Sequence, residues 1–116
     1  MIPSRELFHV ALPDDWEAAR ADGRYTASTR GRTLSDEGFI HCSFAEQVAA
    51  TVRRFYGDLD QVILLRIDPH RLIAPWVVED LLDTGEAFPH VYGPISLDAV
   101  IDATPVEPAA MRDGDG

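Results

Sequence analysis

The sequence contains no lysine, so all ten of its basic residues are arginines. Catalysis through a lysine Schiff base is therefore excluded. Aspartate and glutamate number 20, which gives a formal net charge of −10 and a pI near 4.6. Nucleic acids and anionic membranes both bind positive surfaces. We therefore expect neither as a partner, and the expected partner is a small molecule.

Cysteine and long apolar runs are also scarce. Cys42 is the only cysteine, which excludes an internal disulfide and a multi-cysteine zinc site. No apolar run approaches the roughly 20 residues that cross a bilayer. The N-terminus lacks the basic-then-apolar pattern of a secretion signal, so we expect a cytoplasmic location. The length of 116 residues suits one domain, which we place at 1–104, with a disordered tail at 105–116.

Capping and turn residues predict an order of β-α-β-α followed by several strands. The predicted elements are a strand over 6–10, a helix from Pro13 to Gly23, a polar loop over 24–36, a strand over 39–42, a helix from Ser43 to Gly57, a central strand over 61–67, a turn over 68–70, a strand over 76–79, a turn over 83–86, a short strand or bend over 90–92 and a last strand over 99–103. This order indicates an α+β fold, with a small split or mixed β-sheet and two helices in the N-terminal half.

The helix after residue 42 carries the most specific of these signals. Ser43 and Glu46 fit a capping box, in which each side chain accepts a hydrogen bond from the backbone of the other residue. Phe44, Val48, Val52 and Phe55 recur at helical spacing and predict its buried face. A capping serine at a helix start can also help to hold an anionic ligand.

Three of the four histidines lie among apolar residues in segments 7–10 (LFHV), 38–43 (GFIHCS) and 88–94 (FPHVYGP). Imidazole can donate, accept or transfer a proton and can bind metal near neutral pH. Side chains alternate along a strand, which places His41 and Ser43 on one face and Cys42 on the other, as a core residue. We predict a polar pocket around His9, His41 and His90. For each histidine a structural role in the core stays open.

These residues resemble the DUF952 family of bacterial domains of unknown function. The resemblance rests on Leu7-Phe8-His9, on segment 38–43 (GFIHCS), on Glu79 and on segment 88–95 (FPHVYGPI), and it extends over nearly the whole chain. That family is grouped by fold with the ADP-ribosyltransferases, which hold NAD between the two halves of a split β-sheet. The resemblance therefore implies a cleft between two sheet halves.

It also implies roles for single residues. In the ADP-ribosyltransferase group a histidine on the first core strand contacts the NAD ribose, and His9 matches that position. A hydroxyl or aromatic residue on a later strand supports the nicotinamide, a role for Ser43 or Tyr92. A glutamate stabilises the ribosyl cation, a role for Glu79 or His90. The transferase triad itself is not recognisable in this sequence, so the resemblance leaves enzymatic activity open.

The leading hypothesis is a histidine-lined cleft that binds NAD or an ADP-ribose-like ligand, either breaking the nicotinamide–ribose bond or binding without turnover. NAD would be the substrate, and no cofactor or metal is assigned. The expected catalytic residues are His9, His41, Glu79 and His90, and the expected ligand-binding residues are Ser43, Tyr92, Arg30 and Arg32, the two arginines pairing with pyrophosphate. The alternatives are a non-enzymatic binding module, a hydrolase with a metal on the three histidines, and a two-histidine phosphoesterase.

Overall fold

The computed structural model describes residues 5–111. Its strands are β1 (Leu7–Ala11), β2 (Arg24–Tyr25), β3 (Ala27–Thr29), β4 (Arg32–Thr33), β5 (Ile40–His41), β6 (Val62–Ile67), β7 (Trp76–Glu79), β8 (Phe88–Val91), β9 (Ile95–Ser96) and β10 (Val100–Val106). Its α-helices are α1 (Pro13–Asp22), α2 (Leu34–Glu37) and α3 (Val48–Tyr56). Short 3₁₀ helices lie at Ala45–Gln47, Pro69–Arg71, Leu97–Ala99 and Pro108–Ala110.

Two three-stranded antiparallel sheets form the frame of the molecule. The first has the order β1-β6-β10 and the second has the order β5-β8-β7, while β2-β9 and β3-β4 are two-stranded pairs. The first sheet is joined to the chain after β5 by a bridge between Phe8 and Ser43, with N–O distances of 2.8 and 2.7 Å. The predicted α+β class is confirmed, whereas the relation to ADP-ribosyltransferases stays a prediction.

The predicted central strand over 61–67 is confirmed as β6, which lies between β1 and β10. Its alternating side chains serve two cores. Ile63, Leu65 and Ile67 belong to the larger core, and Val62 and Leu64 pack in a second core under α3. Both faces of a middle strand are covered here, which explains its nearly continuous apolar sequence.

Helix α1 is confirmed from Pro13 to Asp22, and it ends at Gly23, whose φ of 92° suits glycine. Ala19 is buried, and Trp16 packs on the larger core. The strand over 76–79 is also confirmed with the predicted bounds. Among residues 5–111 no helix is long and apolar enough to cross a membrane.

The predicted cap of α3 is wrong. Both backbone groups of Ser43 pair with Phe8, so Ser43 belongs to the sheet bridge and not to the helix. The first turn is instead a 3₁₀ helix, and the Phe44 backbone N–H donates to Oε1 of Gln47 at 2.9 Å. The Ser43 hydroxyl lies 3.4 Å from that of Thr51.

The predicted buried face of α3 is wrong at one position. Phe55 is 56% exposed, whereas Val48, Val52 and Tyr56 are buried. The inner face is centred on Val52, which is fully buried, and Tyr56 lies closer to that centre around the helix than Phe55 does. Residues four apart from Val48 onward then share the inner face.

The predicted polar loop over 24–36 is also wrong, because β2, β3, β4 and the start of α2 lie within it. A tight hairpin with Gly31 at φ 75° connects β3 to β4. Thr33 then caps α2: its hydroxyl accepts from the Asp36 backbone N–H at 3.2 Å, and the Asp36 carboxylate accepts from the Thr33 backbone N–H at 2.9 Å. These elements have two to four residues each, too few to produce a periodic pattern.

The expected disordered tail begins too early. Pro105 and Val106 finish β10, Pro108 is buried, and Met111 packs against the second core. The predicted domain boundary at residue 104 thus falls inside a strand. Tail residues 112–116 lie outside the described residues.

Removing a buried side chain from the middle strand β6 should lower the stability of the fold. We expect Leu65→Ala, at a fully buried position, to lower the free energy of unfolding by about 2–5 kcal/mol. The matched variant Leu82→Ala, at a position 84% exposed, should change it by less than about 0.5 kcal/mol. Urea unfolding followed by circular dichroism measures both, and equal losses would contradict this packing.

Candidate active site

A cavity of about 660 Å³ is lined by residues of both three-stranded sheets, the β3-β4 hairpin, α3 and the segment after β7. His9 on β1, His41 on β5, Glu79 on β7 and His90 on β8 all line it. Its volume is within the range of about 300–1,000 Å³ found for small-molecule sites. The three histidines, far apart in the sequence, therefore meet at one hollow.

His9 is only 2% exposed, and both of its ring nitrogens are bonded. Nδ1 lies 2.5 Å from the His41 carbonyl oxygen, and Nε2 lies 2.8 Å from the Tyr25 hydroxyl. Burial lowers the pKa of His9 to about 4, so the ring is neutral at pH 7. A carbonyl only accepts, hence Nδ1 carries the proton and Nε2 accepts from Tyr25. No ring nitrogen of His9 is left for the ribose contact expected from the sequence.

Glu79 and His90 form a carboxylate–imidazole pair. Nδ1 of His90 lies 2.9 Å from Oε1 of Glu79, and the Tyr92 hydroxyl donates to the same oxygen. These two hydrogen bonds, the one from Tyr92 first, lower the pKa of Glu79. The pairing assigns the His90 proton to Nδ1 and leaves Nε2 as an acceptor. His90 is 5% exposed.

A second pair, Glu37 and His41, was not predicted from the sequence. Oε1 of Glu37 lies 3.1 Å from Nε2 of His41. Glu37 is the last residue of α2, and Gly38 ends that helix with φ 88°. The capping residues Thr33 and Asp36 and the glycine after Glu37 are the signal that could have located this short helix.

The two pairs are neighbours. His41 and His90 are register partners of β5 and β8, so their side chains leave the same face of the sheet. Their ring centroids are 5.4 Å apart at an interplanar angle of 75°. The Phe39 ring contacts both, at centroid distances of 4.7 Å to His41 and 4.2 Å to His90. Two imidazoles and one aromatic ring thus form a single wall of the cavity.

The predicted arginines both line the cavity but differ in availability. Arg30 makes two hydrogen bonds to Asp58, of 2.7 and 2.8 Å, and one to the Phe55 carbonyl oxygen. Arg32 makes one longer contact, 3.4 Å to Oε2 of Glu37, and its side chain is 61% exposed. Arg32 is therefore the more available of the two to an anionic ligand.

The remaining predicted residues take different positions. Ser43 is buried and lines the cavity, whereas Tyr92 is 39% exposed and reaches the site through its bond to Glu79. Cys42 is 4% exposed and packs in the larger core, as predicted, and burial raises its pKa. A thiol held in its neutral form is a poor nucleophile.

No group of three or more His, Cys, Asp or Glu side chains within residues 5–111 is arranged to hold a metal ion. Of the three histidines, His9 has both ring nitrogens bonded and so offers none to a metal. The metal-dependent alternative therefore lacks its three-imidazole ligand set.

Charge is distributed unevenly around the cavity. Arg30 and Arg32 come from the β3-β4 hairpin, whereas Glu79, Asp80 and Glu86 come from β7 and the segment that follows it. Each arginine is also paired with a carboxylate, Arg30 with Asp58 and Arg32 with the cavity-lining Glu37, so positive charge is confined to one side of the site and is partly neutralised there. The other side carries carboxylates alone and favours a cationic part of a ligand.

The sequence model of the family described as "Protein of unknown function (DUF952)" matches residues 10–103. The chain belongs to the DUF952 family. The expected resemblance is confirmed, and no curated protein matches this chain.

Two crystal structures are similar to this DUF952 chain. One is protein CC0527 from Caulobacter crescentus, with a TM-score of 0.74 and 27% identity over 96% of this chain and 90% of that chain. The other is a double mutant of the same protein, with a TM-score of 0.70, 26% identity and the same coverage. The similarity extends over nearly the whole chain.

The buried His9 predicts a pH dependence of stability. Unfolded, the ring has an ordinary pKa of about 6.5; folded, it has about 4. Between these values the unfolded chain binds a proton that the folded one does not, so stability is full above about pH 6.5 and falls toward pH 4. The difference corresponds to about 3 kcal/mol.

Urea unfolding at pH 7 and pH 4 measures this loss of stability at low pH. His9→Gln is the control for the other titrating groups. Wild type should lose about 3 kcal/mol more than the variant. Ring NMR of wild type should show His9 still neutral at pH 5, with the proton on Nδ1. An NMR titration of His9 near pH 6.5 would contradict this arrangement.

Proposed function

We propose that the cavity binds NAD or an ADP-ribose-like molecule and cleaves the bond between nicotinamide and ribose. The single observation that carries this proposal is the convergence of Glu79, His90 and His41 with Arg32 around one cavity of ligand size. Cytoplasmic action and a small molecule as the partner stay expectations from the sequence.

The charge distribution supports one orientation of NAD. Its nicotinamide ring is cationic and its pyrophosphate is anionic. The ring lies toward Glu79 and the aromatic face of Phe39, where opposite charge and ring contact both favour it. The pyrophosphate lies toward Arg32, whose fork-shaped guanidinium suits phosphate oxygens.

The chemistry then follows from the Glu79–His90 pair. As the nicotinamide–ribose bond breaks, positive charge develops on the ribose, and the carboxylate of Glu79 stabilises it. Nε2 of His90 accepts the proton of the attacking water or hydroxyl, because Nδ1 is held by Glu79. His9 supports this wall through its bond to the His41 carbonyl oxygen, and is not a ligand contact.

Binding tests the ligand class. Isothermal titration should detect ADP-ribose and NAD at sub-millimolar to millimolar concentration. Arg32→Ala should weaken ADP-ribose binding about tenfold or more, because it removes a charged hydrogen-bond donor. The matched control is Arg20→Ala on α1, an arginine of similar exposure that is also paired with a glutamate. Equal effects of the two substitutions, or no binding to wild type, would contradict the proposal.

Turnover tests the reaction. We expect Glu79→Gln to lower the rate of nicotinamide release from NAD roughly 100-fold while ADP-ribose binding is retained. Glu86→Gln, another carboxylate on the cavity wall, is the control and should retain most of the rate. Thermal melting of both variants verifies the fold. Binding of ADP-ribose by a wild-type protein that releases no nicotinamide would favour a binding module without catalysis.

A further inference from the structure

We propose that His41 carries the proton taken up by His90 out of the cavity, and that Glu37 positions His41 for this transfer. The inference rests on the proposed function, since it takes the same cavity as the place of reaction. It adds a proton route and a positioning residue that the sequence did not indicate.

A proton on His90 needs a route to solvent because the His90 ring is buried. His90 is 5% exposed, and its Nδ1 is bonded to Glu79. A ligand in the cavity would cover the ring further. The His41 side chain is 41% exposed, so it has contact with solvent where His90 has almost none. A proton that arrives on Nε2 of His90 therefore leaves most directly through His41.

The backbone fixes the two rings next to each other. His41 and His90 are paired residues of antiparallel strands. Their centroid distance of 5.4 Å is within the range of about 4.5–7 Å for rings in direct contact. The rings share no hydrogen bond within residues 5–111, so transfer from Nε2 of His90 to Nδ1 of His41 uses a bridging water, with no rearrangement of the sheet.

Glu37 sets the direction of transfer by fixing the tautomer of His41. A carboxylate accepts, so the proton of the neutral His41 ring lies on Nε2, 3.1 Å from Oε1 of Glu37. That is the ring's one described hydrogen bond within residues 5–111, and it leaves Nδ1 as an acceptor. Such an imidazole takes a proton on one nitrogen and releases a proton from the other.

The steps balance with water as the nucleophile. The oxygen of water bonds to the ribose carbon while one of its protons moves to Nε2 of His90. The carbon–nitrogen bond breaks, its electron pair goes to the ring nitrogen, and nicotinamide leaves neutral. His90 passes its proton through a bridging water to Nδ1 of His41, and His41 releases the proton of Nε2 past Glu37 to solvent. Exchange of the exposed ring's protons with solvent then returns His41 to the Nε2 tautomer. One proton is released per NAD hydrolysed.

Rescue of a His41 variant by added imidazole distinguishes proton transfer by His41 from a purely structural role of this residue. We expect His41→Ala to lower kcat for nicotinamide release by about tenfold or more, with KM within about twofold of wild type. Added imidazole should restore the rate toward a plateau. Glu37→Gln should lower kcat less, with the same rescue, and His70→Ala, in the exposed turn after β6, should change neither constant. An unchanged rate in His41→Ala, or a loss that imidazole does not restore, overturns the relay.

A second measurement is independent of turnover. Nitrogen-15 NMR of the wild-type protein without ligand should show neutral His41 protonated at Nε2 and neutral His90 protonated at Nδ1. A proton on Nδ1 of His41 overturns the relay whatever the protein does with NAD. If the tautomers are as expected and wild type releases no nicotinamide, the proposed function fails while the proton route is supported.

Discussion

The hydrogen bond from the His9 ring to the His41 carbonyl oxygen joins the two main sheets beside the cavity. Its donor is on β1 and its acceptor is on β5. Tyr25 completes the arrangement by donating to the other nitrogen of the ring. Because the ring is buried and neutral, it has one donor nitrogen and one acceptor nitrogen, and both are used in these contacts. The position of β5, and with it that of His41, depends on this contact and on the neighbouring Phe8–Ser43 bridge.

Strand pairing with β5 fixes the positions of the other site residues. His41 lies opposite His90, and Val77 of β7 lies opposite His90 on its other side. Each imidazole then meets a glutamate from a different element, Glu37 at the end of α2 and Glu79 at the end of β7. The two imidazoles differ in exposure, with side chains 41% exposed for His41 and 7% for His90, whereas the two glutamates are nearly equal at 26% and 24%. The proposed relay assigns proton uptake to the buried ring and proton release to the more exposed one.

Sequence reasoning succeeded where a signal extends over many residues. The apolar run over 61–67 and the helix from Pro13 are long enough for periodicity and capping to identify them. It failed where a short element depends on tertiary contacts. The strands between α1 and α2 have two or three residues each, and tertiary packing places Tyr56 rather than Phe55 on the buried face of α3. Glu37 was missed for the same reason, since its helix is a single turn.

The sequence by itself determined the DUF952 family, the α+β class, the acidic charge and the three histidines that line the cavity, because these follow from composition, motifs and alternation along strands. Only the tertiary structure decided what each imidazole can do. A ring nitrogen is free or bonded according to partners distant in the chain: Tyr25 and the His41 carbonyl oxygen occupy His9, whereas each glutamate occupies one nitrogen of His41 or His90. Burial sets the protonation of His9, and burial is a property of the packed molecule.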